Sequence, residues 1–263
     1  MAKRLRDFLS LLAFLTLLPI PQRYLGVEAA FGSLYMLPIV GFIRGLFAVT
    51  PMLLSALLHN NAPYVEAFSV VAMHYIIQGF IHADGFIDFS EAVLAHRFGV
   101  DASKVVKDRF RGSYAIAAFV LFALWLYSTM LQVIHLSADL WIATKIVLVA
   151  ETWSPTSMAV VAYVCREPPD GLGKLFKKGL RISDIVGAFL ASVLITYATF
   201  LSIQTGSTTS ILVLLALAIS AYTTSVLGMK TLGYANGDVL GFANELSYAT
   251  ILTTLALGVA LWL

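Results

Sequence analysis

Long apolar runs separated by short polar stretches make up most of this chain. A helical run of about 20 apolar residues is long enough to cross the roughly 30 Å hydrocarbon core of a bilayer. Seven runs meet this length, and each predicts a transmembrane α-helix. The predicted spans are residues 34–58, 63–81, 113–135, 140–164, 184–203, 209–229 and 242–263. The pattern therefore predicts an all-α, polytopic integral membrane protein with about seven transmembrane helices.

An additional apolar run at the N-terminus, residues 8–20, is too short to span a bilayer comfortably. It is bounded by Arg6 on one side and by the prolines of LPIP on the other, and proline interrupts a helix. We therefore expect a short re-entrant or interfacial helix before the first span. A cleaved signal peptide is the alternative, but no small-residue cleavage site follows the run.

Composition supports a membrane protein and excludes several other classes. The chain is 59% hydrophobic with a mean hydropathy of +0.86, and only 12% of it is Asp, Glu, Lys or Arg, against roughly 25% in soluble domains. The single cysteine, Cys165, excludes an internal disulfide and a cysteine-based metal cluster. A net charge of +2 gives no reason to expect a nucleic-acid partner. Small molecules and membrane lipid are the expected partners.

The positive charges predict the orientation of the chain, because Lys and Arg collect in cytoplasmic loops. If residues 82–112 are cytoplasmic, alternation of the spans places all but two of the 17 Lys and Arg residues on that side. The two exceptions, Arg44 and Lys145, lie within predicted spans. The sequence thus predicts a multi-pass protein of the cell membrane whose polar loops and active site face the cytoplasm.

The most unusual polar segment is HADGFIDFSEAVLAHR, which follows the second span. Its acids Asp84, Asp88 and Glu91 are spaced i, i+4 and i+7, which places them on one face of a helix. A solvated acidic helix end is one interpretation. Unpaired carboxylates at the edge of an apolar span are costly and usually functional, however, and Mg²⁺ favours a few carboxylates combined with water and substrate phosphate. His82, two residues before Asp84, is a candidate phosphate contact.

Three further polar segments are predicted on the same side. KDRFRGSYA contains Asp108, Arg109 and Arg111, and its cations can hold phosphate. REPPDGLGKLFKKG is a Pro- and Gly-rich basic loop with Lys174, which suits a lid over a phosphorylated substrate. Positive-inside charge explains these cations about equally well. TLGYANGDVLGFANELSYAT carries Asn236, Asp238 and Glu245 at the start of the last span.

Four ionisable residues interrupt the apolar spans themselves, namely Arg44, Glu66, His74 and Glu151. Intramembrane charges usually face a partner in the interior of the bundle. Arg44 and Glu151 can neutralise one another, and for these two a structural role and a substrate role remain open. Glu66 and His74 are interpreted as structural.

Taken together, these segments resemble the cobalamin-5'-phosphate synthase family, also called adenosylcobinamide-GDP ribazoletransferase. The family hallmark HxDGxxDxxD is matched by His82, Asp84, Gly85 and Asp88, with Glu91 in place of the last Asp. The resemblance extends through FLTLLPIP, YMLPIVGFIRG, KDRFRGSYA, DGLGKLF and TLGYANGDVLGFANEL. The chain departs from the family at WSPTS, which lacks an Arg often found there, and in having Asn where Thr is common in YANGD.

The resemblance implies a Mg²⁺-dependent transferase, a single transmembrane catalytic domain over residues 1–263 that is compatible with a homo-oligomer. It would join adenosylcobinamide-GDP to α-ribazole or its 5'-phosphate with release of GMP, the last assembly step of cobalamin biosynthesis. The implied metal ligands are Asp84, Asp88 and Glu91, and the implied catalytic residues are Asp84, Asp88, Asp108 and Asp238. The implied substrate-binding residues are His82, Arg109, Arg111, Lys174, Asn236 and Glu245.

Two other functions remain alternatives. CDP-alcohol phosphotransferases also place carboxylates at a membrane face, but their signature DxxDGxxARx8GxxxDxxxD does not match, because the downstream Asp pair is missing. An ion-coupled transporter can use intramembrane charges such as Arg44, Glu66 and Glu151 to line a path. Most acids cluster at one face of the bilayer instead. GMP release from a GDP-activated corrinoid is expected of the transferase and not of a carrier.

Overall fold

The computed structural model describes residues 2–58, 62–108, 110, 112–137 and 140–259. Every regular element in these ranges is a helix, which confirms the all-α prediction. The α-helices are α1 Ala2–Leu15, α2 Val27–Ala30, α3 Leu37–Ala48, α4 Thr50–Leu57, α5 Pro63–Ile77, α6 Ile81–Arg97, α7 Ala102–Lys107, α8 Ser113–Leu136, α9 Leu140–Val164, α10 Gly171–Gly179, α11 Ile182–Phe200, α12 Ile203–Thr231 and α13 Gly237–Val259. Two 3-10 helices, Gln22–Tyr24 and Phe31–Met36, connect α1, α2 and α3.

The helices confirm a polytopic membrane protein but not the predicted count of seven spans. Within the described residues, five helices are long and apolar enough to cross a bilayer, or six if one bent pair is counted as a span. The five are Val27–Leu57, Ser113–Leu136, Leu140–Val164, Ile182–Phe200 and Gln204–Thr231. The bent pair is α5 with α6, so the predicted straight span 63–81 ends early. Helix α13 lies outside this count and carries Asn244 and Glu245 along its length.

A 91° bend separates α5 from α6 and determines where the acidic segment begins. Gly79 and Phe80 both have left-handed backbone angles, with φ of 60° and 59°. This conformation is uncommon for a phenylalanine and is typical of glycine. A side chain at Gly79 would lie 2.8 Å from Leu17, whose N–H donates to the carbonyl of Ile77 at 2.8 Å. The segment after α1 therefore packs into the bend, and His82 and Asp84 fall in the first turn of a new helix.

Helix α9 forms the centre of the bundle. Of its most apolar 18-residue stretch, 83% is buried inside the protein, whereas the corresponding figure for α11 is 22%. Helix α9 packs against α3, α11, α12 and α13. A helix that is buried all round needs polar partners within the bundle for any charge it carries, and α9 carries Glu151.

Small residues allow two helix pairs to approach closely, as is common in membrane bundles. On α3, Gly41 lies so close to α9 that a Cβ there would be 2.1 Å from the carbonyl oxygen of Glu151. On α6, a Cβ at Gly85 would lie 3.1 Å from the Cα of Asp238 and 3.2 Å from that of Gly241 on α13. The first contact places α3 beside Glu151, and the second brings the first turns of α6 and α13 together.

Candidate active site

A cavity of about 200 Å³ lies where α6 and α13 begin. His82 and Asp84 on α6 and Asp238 on α13 line it, so residues predicted from two separate segments meet at one place. Asp84 and Asp238 each occupy the first turn of their helix. A helix N-terminus carries partial positive charge, which stabilises a carboxylate there and also favours a bound anion.

Asn236 holds Asp238 in position. Its side-chain Nδ2 donates to Oδ2 of Asp238 at 2.7 Å, and its Oδ1 accepts the backbone N–H of Val239 at 3.1 Å. The second contact is a typical cap of a helix N-terminus. Asn236 was predicted to bind substrate, but it does not line the cavity. The structure gives it contacts that orient Asp238 at the cavity wall.

His82 is buried and also faces this cavity. Its Nε2 has no hydrogen-bond partner in the part of the chain that the structure describes. A buried polar atom without a partner is uncommon in proteins and calls for an explanation such as a bound group. A substrate oxygen in the cavity would supply that partner.

Tyr234 lies shortly before α13, outside the long helices. Burial raises the pKa of its hydroxyl, and the nearby carboxylates Asp170, Asp101 and Asp238 raise the pKa further. Its hydroxyl therefore stays protonated at physiological pH.

Of the three acids of α6, Asp84 lines the cavity and the other two do not. Asp88 is 5% exposed, and Glu91 accepts the N–H of Gly112, just before α8, through its Oε1 at 2.7 Å. Among the residues with a described position, no three or more His, Cys, Asp or Glu side chains are placed to hold a metal ion together. The carboxylates that share the cavity are instead Asp84 and Asp238. Magnesium binding itself stays a prediction.

Two other predicted contacts lie away from the cavity lining. Asp108 is exposed after α7, where its Oδ1 accepts the N–H of Phe110 at 3.0 Å. Lys174 donates to the carbonyl of Pro169 at 2.7 Å and lies 3.9 Å from Glu167. The predicted phosphate-binding residues Arg109 and Arg111 lie outside the described residues.

Helix α10 lies within the basic loop that was predicted as a lid, and its apolar side forms part of the cavity wall. Leu172, Gly173 and Phe176 line the cavity, and a Cβ at Gly173 would lie 2.8 Å from the Cα of Asn236. From the sequence, this segment was interpreted through its lysines and as part of the family resemblance, and not as a cavity wall. The signal that was missed is the apolar spacing of DGLGKLF, in which Leu172 and Phe176 are four residues apart and share a helix face.

Deeper in the bundle, a second group of charges is fully buried. Arg44 Nη2 lies 3.0 Å from Oε2 of Glu151, which confirms the predicted pairing of these two residues. The other Glu151 oxygen lies 2.5 Å from Nδ1 of His74, and Nε2 of His74 lies 3.2 Å from Oε2 of Glu245. All four side chains are 0% exposed. We call Arg44, His74, Glu151 and Glu245 the buried charge network.

Neutral side chains also contact members of the buried charge network. Asn244 donates through Nδ2 to Oε1 of Glu245 at 3.1 Å and accepts from Arg44 at 3.3 Å through Oδ1. The ring of Tyr248 stacks on that of His74 with centroids 3.9 Å apart. Glu245 was predicted to bind substrate, but the structure places it in this network and not in the cavity. The network ties α3, α5, α9 and α13 together.

The structure thus defines a class: an all-helical, polytopic membrane protein with a small cavity, lined in part by two carboxylates, at the start of two helices. Comparison with known proteins identifies the family. Residues 7–256 match the CobS family, described as cobalamin-5-phosphate synthase, and the chain belongs to it. The resemblance predicted from the sequence is therefore confirmed.

Relatives called adenosylcobinamide-GDP ribazoletransferase are similar to this chain over most of its length. One from Halobacterium salinarum is 32% identical and covers 74% of this chain and 94% of its own. One from Archaeoglobus fulgidus is 26% identical, with 94% and 96% covered. One from Clostridium perfringens is 26% identical, with 88% and 89% covered. No solved structure matches the chain.

Proposed function

We propose that this protein joins adenosylcobinamide-GDP to α-ribazole or its 5'-phosphate and releases GMP, with Mg²⁺ bound at the cavity. Family membership over residues 7–256 and the names of the relatives support the reaction. The observation that carries the proposal is the meeting of His82, Asp84 and Asp238 in one cavity.

The reaction exchanges one phosphate ester linkage for another. A ribose hydroxyl oxygen bonds to the phosphorus that is attached to the corrinoid, and the bond from that phosphorus to the bridging oxygen of the diphosphate breaks. GMP leaves with the bridging oxygen, and the hydroxyl proton passes to a base. Such a transfer depends mainly on positioning the reactants and on neutralising charge around the phosphorus.

The donor set at the cavity fits a magnesium ion. Mg²⁺ in phosphate-transfer sites is usually held by one or two carboxylates together with water and substrate phosphate. Asp84, which is exposed in the cavity, would hold the ion, with Asp238 on the opposite helix as a second carboxylate. When bound, the ion would neutralise negative charge on the diphosphate.

The remaining roles follow from the contacts. Asp238, oriented by Asn236, accepts the proton of the ribose hydroxyl. His82 presents its buried Nε2 to a phosphate oxygen. Asp108, the alternative base, is not retained because it does not line the cavity.

The size of the cavity restricts what enters it. About 200 Å³ is smaller than the roughly 300–1,000 Å³ pockets that hold drug-sized ligands. The corrinoid ring therefore remains outside, and only the diphosphate and the adjoining part of the acceptor reach the acids. The excess of Lys and Arg in loops on the same side supports a cytoplasmic opening at the cell membrane.

The test is GMP release by the purified protein in detergent, with adenosylcobinamide-GDP, an acceptor and Mg²⁺. We expect release that requires both the acceptor and Mg²⁺ and that is lost in Asp84→Asn. Asp184→Asn is the matched control, because Asp184 caps α11 away from the cavity. A wild-type protein that folds and releases no GMP would contradict the transferase and favour the carrier alternative.

A further inference from the structure

A groove of about 410 Å³ lies between α3, α9 and α11, away from the cavity at the acids. Nearby on α11, Leu190 and Leu194 are exposed, as expected for a helix face that meets lipid. We call the groove the lateral groove. Besides two threonines, it is lined by Phe42, Trp141, Lys145, Leu148, Ile195 and Ala198.

Lys145 is the charged residue in the described lining of the lateral groove. Of the two basic residues that the sequence placed within spans, Arg44 pairs with Glu151. Lys145 pairs with no carboxylate in the part of the chain that the structure describes, and its Nζ lies 5.9 Å from the centre of the Phe200 ring. Charges within membrane spans usually have a partner. The ammonium of Lys145 therefore needs an anion from outside the chain.

The two threonines of the lateral groove already use their hydroxyl protons. Thr144 donates to the carbonyl of Leu140 at 2.8 Å, and Thr199 donates to that of Ile195 at 2.8 Å. Such bonds to the preceding turn satisfy a hydroxyl inside an apolar span. A ligand in the groove is therefore held by Lys145 and by apolar contacts.

The ammonium of Lys145 lies near the ends of two helices. Trp141 stands in the first turn of α9 and is exposed, and Phe200 is the last residue of α11. Tryptophan is common at the level of lipid headgroups, and a lysine near a helix end extends its charge to that level. A cation at headgroup depth beside an apolar groove matches a molecule with an anionic head and an apolar chain.

We propose that the lateral groove binds an anionic phospholipid. The lipid phosphate contacts Lys145, and one acyl chain lies along Phe42, Leu148 and Ile195. A zwitterionic headgroup is disfavoured, because it brings its own cation close to the ammonium. Met158, which lines the cavity at the acids, is about 20 Å further along α9. The lipid site is thus separate from the cavity and does not depend on the proposed function.

The test is native mass spectrometry of the full chain in detergent, titrated with phosphatidylglycerol or with phosphatidylcholine of the same acyl chains. We expect the tightest phosphatidylglycerol site to bind about fivefold more strongly than phosphatidylcholine does. Lys145→Met keeps a long apolar side chain, removes the charge and is expected to abolish this preference. Lys230→Met is the matched control, because Lys230 is exposed at the end of α12 and does not line the groove. Equal preference in wild type and Lys145→Met overturns the inference.

Two further arms separate the lipid from a free anion. Ala198→Phe fills the groove and leaves the charge in place, so it should weaken phosphatidylglycerol binding at least about threefold. Inorganic phosphate at the lipid concentrations used should not displace the bound lipid. Displacement by phosphate, or full binding by Ala198→Phe, would assign Lys145 to a headgroup or free anion alone and overturn the groove as a lipid site.

Discussion

The acids at the cavity, Asp84 and Asp238, have different surroundings from the acids of the buried charge network, Glu151 and Glu245. Asp238 and Glu245 are on the same helix, α13, two turns apart. Asp238 lines the cavity with Asp84 of α6, whereas Glu245 is fully buried with His74, which also contacts Glu151. Position along one helix therefore separates an acid that lines the cavity from an acid that contacts neighbouring helices. Charge alone does not reveal the role of an acid within a membrane protein, but its partners do.

Burial of charge distinguishes the two groups of acids energetically. Taking ions out of water costs several kcal/mol each, and good geometry with additional hydrogen bonds is needed to offset that cost. In the buried charge network, Asn244 and Ser154 both accept hydrogen bonds from Nη2 of Arg44, whereas its Nε and Nη1 have no hydrogen-bond partner among the described residues. The cavity acids are more accessible to solvent and substrate. We therefore expect changes in the network to affect stability first and changes at the cavity to affect turnover first.

The largest expected effect on stability comes from Glu151→Leu. Removing this carboxylate leaves Arg44 buried without its ionic partner, and breaking a buried pair in this way costs about 3–5 kcal/mol. Thermal unfolding in detergent measures the change. The double variant Arg44→Leu with Glu151→Leu removes both charges and should recover part of the loss. A double variant no more stable than Glu151→Leu would contradict the pairing as the cause.

At the cavity, Asp238→Asn is expected to lower kcat for GMP release by roughly 10²–10⁴-fold, because it removes the proposed general base. The amide keeps an oxygen for the contact from Asn236, so the unfolding temperature should change little. Asp184→Asn provides the matched control for a carboxylate in the first turn of a helix. A variant that turns over normally would remove Asp238 from the proposed mechanism.

A smaller effect is expected at Asn236, which both caps α13 and orients the cavity residue Asp238. Asn236→Ala removes the cap of α13 and the contact to Asp238, and loss of a cap costs about 1 kcal/mol of stability. Asn236→Ser retains a capping hydroxyl and should restore stability more than it restores kcat. Equal recovery of both quantities would show that the residue acts only as a cap.

The smallest effect is expected at Glu66, an acid outside both groups. It is buried and accepts a hydrogen bond from the Ser55 hydroxyl at 2.5 Å. Glu66→Gln keeps an acceptor oxygen, so unfolding should change by less than about 1 kcal/mol and GMP release should be unaffected. A strong loss of turnover in this variant would revive a role for intramembrane acids along a transport path.

Much of the fold was predictable because apolar runs determine membrane helices. The predicted span 140–164 coincides with α9, and 113–135 ends one residue before α8 does. The bend after α5 was not predictable, since it depends on Gly79 and Phe80 adopting left-handed angles against a segment that follows α1. That contact joins residues that are far apart in the sequence.

The candidate site was predictable in part. The acids of α6 and Asp238 belong to recognisable sequence motifs, so they could be predicted as site residues. Asp84 and Asp238 do line the same cavity. Spacing alone suggested that Glu91 joins them, but its contact with Gly112 depends on where α8 begins. The aromatic residues of the cavity could not be separated from ordinary core residues, because apolar side chains in a membrane protein carry no sign of what they face.

The central claim is that Asp84 and Asp238 act together at one cavity, and a double-mutant cycle on GMP release tests it most directly. Residues that act as a unit show strongly non-additive losses of kcat. We predict that Asp84→Asn combined with Asp238→Asn is no more than slightly slower than either single variant. Full multiplication of the two single losses would contradict the claim, because it would place the two carboxylates in independent sites.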